Sequence, residues 1–361
     1  MAPSTRWKAP IHHFSYRYLI IVPILLAIAT IVALFIHSDV NAALLWSQCH
    51  SRSRLPGVSR IPGLGTPLCY LISFFRAALH SVRSSAVMAV VLAFLGGLLT
   101  VSTVEAARIC NAPNVLIAYP TGPWLVFDLM GGAVVWELVI IPAFLHRARS
   151  VIIAQKRHDD ESEPHEVWRS RHLPDSELVA IPFSIAIGYF LPSLLMLFHT
   201  SPATIGVWLF FPVYVSILRQ GTRKIVHLVK RIDPTTIHLA SNRTSLIFVY
   251  ALPIICSILA HVLVIWSLTQ PDDRKEMTKS TIVFIEIDTQ FIFWTVLYWM
   301  LVEVGWRVPL TTVLMSILVG PGAGTCIGWI YREKLIHNGH ENGPGEEDAA
   351  QPADEETPLL Q

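Results

Sequence analysis

Residues 282–302 read IVFIEIDTQFIFWTVLYWMLV. A run of about twenty such residues is what a helix needs to cross ~30 Å of hydrocarbon at 1.5 Å per residue. Apolar and aromatic side chains occupy every face, so an amphipathic helix on a soluble core is excluded. Yet the run keeps two carboxylates, Glu286 and Asp288, with no basic residue inside it. Both the fold class and the first functional clue follow from that combination.

Outward from this stretch the pattern repeats. Comparable blocks lie at Tyr18–Ile36, Ser85–Thr103, Trp124–Leu145, Val179–Phe198, Ala203–Leu218, Ser245–Trp266 and Pro309–Ile330. The chain of 361 residues is 53% hydrophobic and 15% charged, against about 25% charged in ordinary soluble domains. The expectation is an all-α, polytopic transmembrane helical bundle with about eight spans. Residues 1–17 form an N-terminal segment, 18–330 the membrane domain, and 331–361 a disordered acidic C-terminal tail. Pro67–His80 is apolar but holds Arg76, and reads as an interfacial or re-entrant segment. The first block follows Arg6, Lys8 and Arg17 and is too long for a signal-peptide core, so it reads as a retained anchor. Five cysteines show no metal-ligand spacing and suggest no disulfide framework. The net charge of +1 argues against nucleic-acid binding.

Two loops, 146–177 and 219–244, concentrate lysine and arginine and are expected to face the cytosol. Eight spans then put both termini on the far side. The basic N-terminus disagrees with that, as does the tail Glu355-Glu356-Thr357-Pro358-Leu359-Leu360, which resembles an acidic dileucine signal read in the cytosol. The sequon Asn242-Arg243-Thr244 falls in a cytosolic loop and is expected to be unused.

Charged groups at membrane depth cost about 2.5–3.5 kcal/mol each on insertion scales, so a chain that keeps several has a use for them. The third block holds Asp128 and Glu137, the seventh Glu286 and Asp288. With the third and seventh helices parallel, Asp128, Glu286 and Asp288 lie ~6–9 Å from one membrane face. Glu105, His199 and His261 would close the second, fourth and sixth helices on that same face, making a polar layer. Glu137 stands apart. It lies nine positions from Asp128, on nearly the opposite helix side, so the two share a cavity only if the helix is distorted. Gly131-Gly132 and Pro142 allow such distortion. Against a functional reading, these acids could simply fix helix packing. Phe291, Phe293 and Trp294 sit too deep for the interfacial belt and could line a cavity that stabilises a cation.

Nucleotide loops, metalloprotease motifs and serine elbows are missing. Asp159-Asp160-Glu161-Ser162-Glu163 reads as a solvated loop rather than a magnesium site, and Gly320-Pro321-Gly322-Ala323-Gly324 as a kink. No metal and no cofactor are expected.

In length, in span number and in acids such as those of Trp124-Leu125-Val126-Phe127-Asp128 and Ile285-Glu286-Ile287-Asp288, residues 18–330 resemble the larger fungal integral-membrane terpene cyclases of meroterpenoid pathways, the ascochlorin and ascofuranone type. The resemblance implies protonation of an epoxidised farnesyl chain, carbocation cyclisation and deprotonation. Asp128 or Glu286 would then be the proton donor, and Asp288, Glu137 and His261 supporting or accepting groups. It implies a hydrophobic prenylated substrate, contact with membrane lipid, neighbouring pathway enzymes, and a multi-pass location in the endoplasmic reticulum or another endomembrane. The alternative is a proton-coupled small-molecule transporter using the same carboxylates as a relay. Transporters of that kind show broken helices in both halves, and the Gly-Pro break near the end has no evident N-terminal counterpart.

Overall fold

A computed structural model describes residues 15–38, 65–158, 171–230 and 242–341, with positions 40, 45, 47, 49, 236, 237 and 239 between them. Helix α1 spans Tyr16–His37. Helix α2 (Gly65–Ala78) has 14 residues, too few to cross, as expected of an interfacial segment. A Cys49–Cys69 disulfide ties it to the preceding residues. That bridge corrects the expectation of none: an odd cysteine count still leaves room for one pair. Ser81 caps α3 (Val82–Ala107) through a reciprocal box with Ser84. Then come α4 (Val115–Ala118), α5 (Thr121–Met130) and α6 (Gly132–Val135), which continues through a π turn at Trp136–Ile140 into α7 (Ile141–His158).

The two-residue strands β1 (Leu173–Pro174) and β2 (Thr236–Ile237) pair antiparallel. Between them run α8 (Glu177–Ile185), a π turn at Ala186–Phe190, α9 (Leu191–Phe198), α10 (Pro202–Trp208) and α11 (Phe211–Lys230). After β2 come α12 (Arg243–Leu268), whose first N–H groups bond the Asn242 side chain, and α13 (Glu276–Val304). Helices α14 (Arg307–Val319) and α15 (Pro321–Glu341) end the described chain.

Among the described residues, five uninterrupted helical runs are long and apolar enough to cross a membrane: α1, α3, α8–α9, α12 and α13. The pair α10–α11, bent by 54°, makes a sixth. Large apolar side chains such as Leu25, Phe35, Ile255 and Leu259 remain exposed on these helices, as lipid-facing residues do. The all-helical bundle is therefore as expected, but the count of eight is not.

Two of the expected spans are hairpins. In a straight helix Trp124 and Trp136 would lie ~18 Å apart; their ring centroids are 5.8 Å apart. Gly131, at φ 125°, reverses the chain between α5 and α6. The returning arm comes back beside its start, where Arg147 Nε donates to the Cys110 carbonyl at 2.6 Å. Likewise Gly320, at φ 94°, reverses the chain between α14 and α15. Gly324 and Gly328 of α15 abut Ser316 and Thr312 of α14. A hydropathy profile registers how apolar a stretch is and not which way it runs, so each hairpin scores as one span.

Side-chain contacts fix the ends. Tyr298 in the later half of α13 donates to the Tyr18 carbonyl at the start of α1. Arg332 of α15 meets Glu105 and Glu303 at the ends of α3 and α13. Both hairpins therefore enter from one end of the bundle, the end carrying Arg219, Arg223 and Lys224. At the opposite end Asp273 accepts from the Val82 N–H at 2.8 Å, joining the start of α3 to the α12–α13 loop. Helix α3 is central, and its glycines let neighbours close in: Gly96 faces Tyr189 and Phe190, and Gly97 faces Gly322.

Three further boundaries move. The tail expected from 331 is helical to Glu341, with Arg332 and Glu333 buried. The loops expected at 146–177 and 219–244 begin as helix, to His158 and Lys230. Because α3 and α12 are antiparallel, Glu105 and His261 cannot share a face of the bundle. The acidic run at 159–163, and the tail from 342, lie outside the described residues.

Candidate active site

The α5–α6 hairpin tip carries the chemistry. Asp128 and Trp124 sit one turn apart on the same face of α5. Asp128 is 8% exposed. Its Oδ2 is buried without a hydrogen-bond partner among the described residues, and so are the indole N–H groups of Trp124 and Trp136. The Trp124 ring packs on Phe127 at 4.9 Å and on Phe211 at 6.1 Å, while Tyr189 packs on Phe211 at 4.8 Å. One carboxyl oxygen and two indole donors are thus left unpaired within an aromatic shell. Buried polar atoms are rarely orphaned without a reason, and a bound polar ligand is one.

Across the tip, Asp288 of α13 accepts a hydrogen bond at 3.0 Å from the Ala133 N–H, at the first turn of α6. This carboxylate satisfies a backbone donor that the reversal would leave open, at a terminus whose dipole favours negative charge. Glu137 lies in the π turn, fully buried, and receives hydrogen bonds from Thr30 at 3.1 Å and Thr295 at 3.3 Å. It lies within electrostatic reach of Asp288. The distortion needed to combine residues 128 and 137 is present twice, as the reversal at Gly131 and as the π turn. Such π turns recur at functional sites.

Asp128, Asp288 and Glu137 are therefore brought to one hairpin. Glu286 is not: it lies on an exposed stripe of α13 with Gln290 and Trp294. His261 packs beside Gly320, at the tip of the other hairpin. His199 ends α9 at the opposite end of the bundle from Glu105. The expected single polar layer is accordingly split. Reading the sequence missed Thr30 and Tyr189, whose only signal was a hydroxyl in an apolar run. Among the described residues no three of His, Cys, Asp or Glu form a metal-binding group.

A second buried polar group closes the basic end. Arg332 reaches Glu303 at 2.6 Å, Glu105 at 3.2 Å and Glu333 at 2.5 Å, and stacks over Trp329 at 4.3 Å. Arg108 reaches Glu105 at 3.1 Å and Glu333 at 2.7 Å, with Arg171 at 3.5 Å from Glu333. Three arginines face three glutamates, so the cluster is neutral. It ties α3, α13 and α15 together.

Fold and site together define an all-helical, multi-spanning membrane protein with a buried, unpaired carboxyl group beside packed aromatic rings at a broken-helix tip. Residues 17–271 match the CtvD domain, and the chain belongs to the family that this domain defines. Asp128, Glu137 and His261 fall within the matched region. No curated protein and no solved structure matches the chain.

Proposed function

We propose that the protein is a membrane-bound terpene cyclase that acts on an epoxidised farnesyl chain of a meroterpenoid precursor. The observation that carries this reading is Asp128, a carboxyl group with an unpaired oxygen inside a shell of Trp124, Phe127, Trp136 and Tyr189. Apolar burial favours the neutral form of a carboxylic acid, which is the form that can donate a proton. Asp128 gives its proton to the epoxide oxygen as the carbon–oxygen bond breaks. The chain's alkenes then attack the cation in turn, and the aromatic faces stabilise the moving positive charge. The last carbocation loses a proton to Asp288, and the net change is an isomerisation. Glu137 holds the hairpin in register through Thr30 and Thr295.

Purified protein in lipid nanodiscs, supplied with a terminal-epoxide farnesyl arene, is expected to form cyclised isomers. Removing a general acid costs about 10²–10⁴-fold. Asp128→Asn should lose turnover on that scale, whereas Glu286→Gln, on the exposed stripe, should retain it. Full turnover in Asp128→Asn overturns the reading.

One observation favours a transporter instead. Two broken-helix tips, at Gly131 and Gly320, enter from the same end, and half-helices of this kind build carrier sites. The Gly-Pro break does have its N-terminal counterpart. Proton-dependent flux into proteoliposomes, without product formation, would select that reading.

A further inference from the structure

At the basic end of the bundle a cleft of about 590 Å³ opens between α3, α5, α8 and α11. Its walls carry Arg219, Arg223, Lys224 and His227, and its lining includes Trp124. The charges are uneven. Arg219 clamps the buried Glu177 with two hydrogen bonds of 2.8 Å, and Arg223 approaches the same carboxylate at 3.2 Å. Among the described lining residues two arginines thus share one carboxylate, which leaves one positive charge over, and the exposed Lys224 adds a second. Arg108, also on the wall, is balanced by Glu105 and Glu333. Trp124 belongs to two places at once: it lines this cleft, and its ring packs on Phe127 and Trp136 beside Asp128. Trp124 thus separates a cationic cleft from the buried carboxyl group of Asp128.

We propose that this cleft binds the anionic oxygen head, a carboxylate or phenolate, of an amphiphile whose apolar tail runs past Trp124 toward Asp128. The inference deepens the cyclase reading, on which it rests for the identity of the tail. Arg219 is fixed by Glu177, the half-exposed Arg223 adds guanidinium donors beside it, and Lys224 supplies a movable point charge. Head and tail are then bound by different chemistries at the two ends of one path. This places the terminal epoxide, rather than the head, at Asp128.

Binding is measured by calorimetry on the full chain in nanodiscs of neutral lipid, with a farnesylated hydroxybenzoate and its methyl ester as probes. The acid is expected to bind at least tenfold more tightly than the ester. Lys224→Glu should abolish that preference, and Lys224→Arg should keep it. Equal binding of acid and ester, or an unaltered preference in Lys224→Glu, overturns the proposal. A second arm adds anionic phospholipid to the nanodisc. If that alone erases the preference for the acid, the cleft takes lipid headgroups and the proposal fails; if the preference persists, the head belongs to the substrate. The readout needs no turnover. Loss of the preference with cyclisation intact overturns the cleft alone, and a preserved preference without cyclisation overturns the enzyme reading alone.

Discussion

At Gly132 a methyl group has no room: a Cβ there would lie 2.7 Å from Asp288 Oδ2 and 2.9 Å from the Phe127 ring. Either the carboxylate or the ring must move, and both belong to the tip that holds the site. Overpacking of this kind typically costs about 1–3 kcal/mol. Gly132→Ala is expected to melt earlier in detergent and to lose turnover with it. Gly122→Ala, at a helical position with nothing within 4 Å, should be neutral or slightly stabilising. Equal melting of the two variants would show that the tip has room for the extra methyl group. At this scale much could be read in advance. Asp128, Glu137 and Asp288 stand out because charge in an apolar run is costly. What the residues did not disclose was the reversal. Gly131-Gly132 was visible as a weak point, but a φ of 125° and a kink look alike in letters.

The elements that were hardest to foresee are those whose role depends on a partner far along the chain. Arg332 and Glu333 follow the last apolar block, so composition assigns them to a solvated tail. Only the fold of α14 back along α15 delivers them to Glu105 and Glu303. Removing one member of a buried ionic cluster strands the others, at about 3–5 kcal/mol. Arg332→Met should therefore destabilise on that scale, measured as a loss of thermal stability in detergent; a shift within experimental scatter would mean the cluster is solvated. The other end of α3 offers a milder test. Asp273 accepts from the Val82 N–H, and that bond holds its carboxyl below the usual aspartate range. A depressed value in the folded state means the contribution is present at neutral pH and fades as pH falls through that value. Asp273→Ala is expected to lower stability slightly at pH 7 and to converge with the parent protein in acid. A gap that widens on acidification would contradict this.

Sidedness can be argued only for the whole molecule. Six crossings and two hairpins entering from one end place the start of α1 and the end of α15 together. That end also holds Arg17, Arg147, Arg219, Arg223, Lys224 and Arg243, the excess expected of a cytosolic face. The opposite end holds α2, whose Phe74 packs on Phe284 in the early half of α13, and with it the Cys49–Cys69 bridge. Disulfides persist in oxidising compartments, which suits a lumenal face. Eight crossings had put both termini in the lumen, against the basic N-terminus and against the dileucine-like tail. Replacing two crossings by hairpins, and recognising α1 as entering from the basic end, removes both conflicts without moving any charged loop. An epitope fused after Gln361 should be digested by protease added outside sealed microsomes. An epitope inserted in the α12–α13 loop, near Gln270, should survive until detergent opens the vesicles. Asn242, at the basic end, should carry no glycan, whereas a sequon engineered beside Gln270 should acquire one. Protection of the C-terminal epitope would make α14–α15 a seventh crossing instead of a hairpin. It would also detach Arg332 from Glu105 and Glu303, so the same experiment tests the membrane topology and the buried cluster that depends on it.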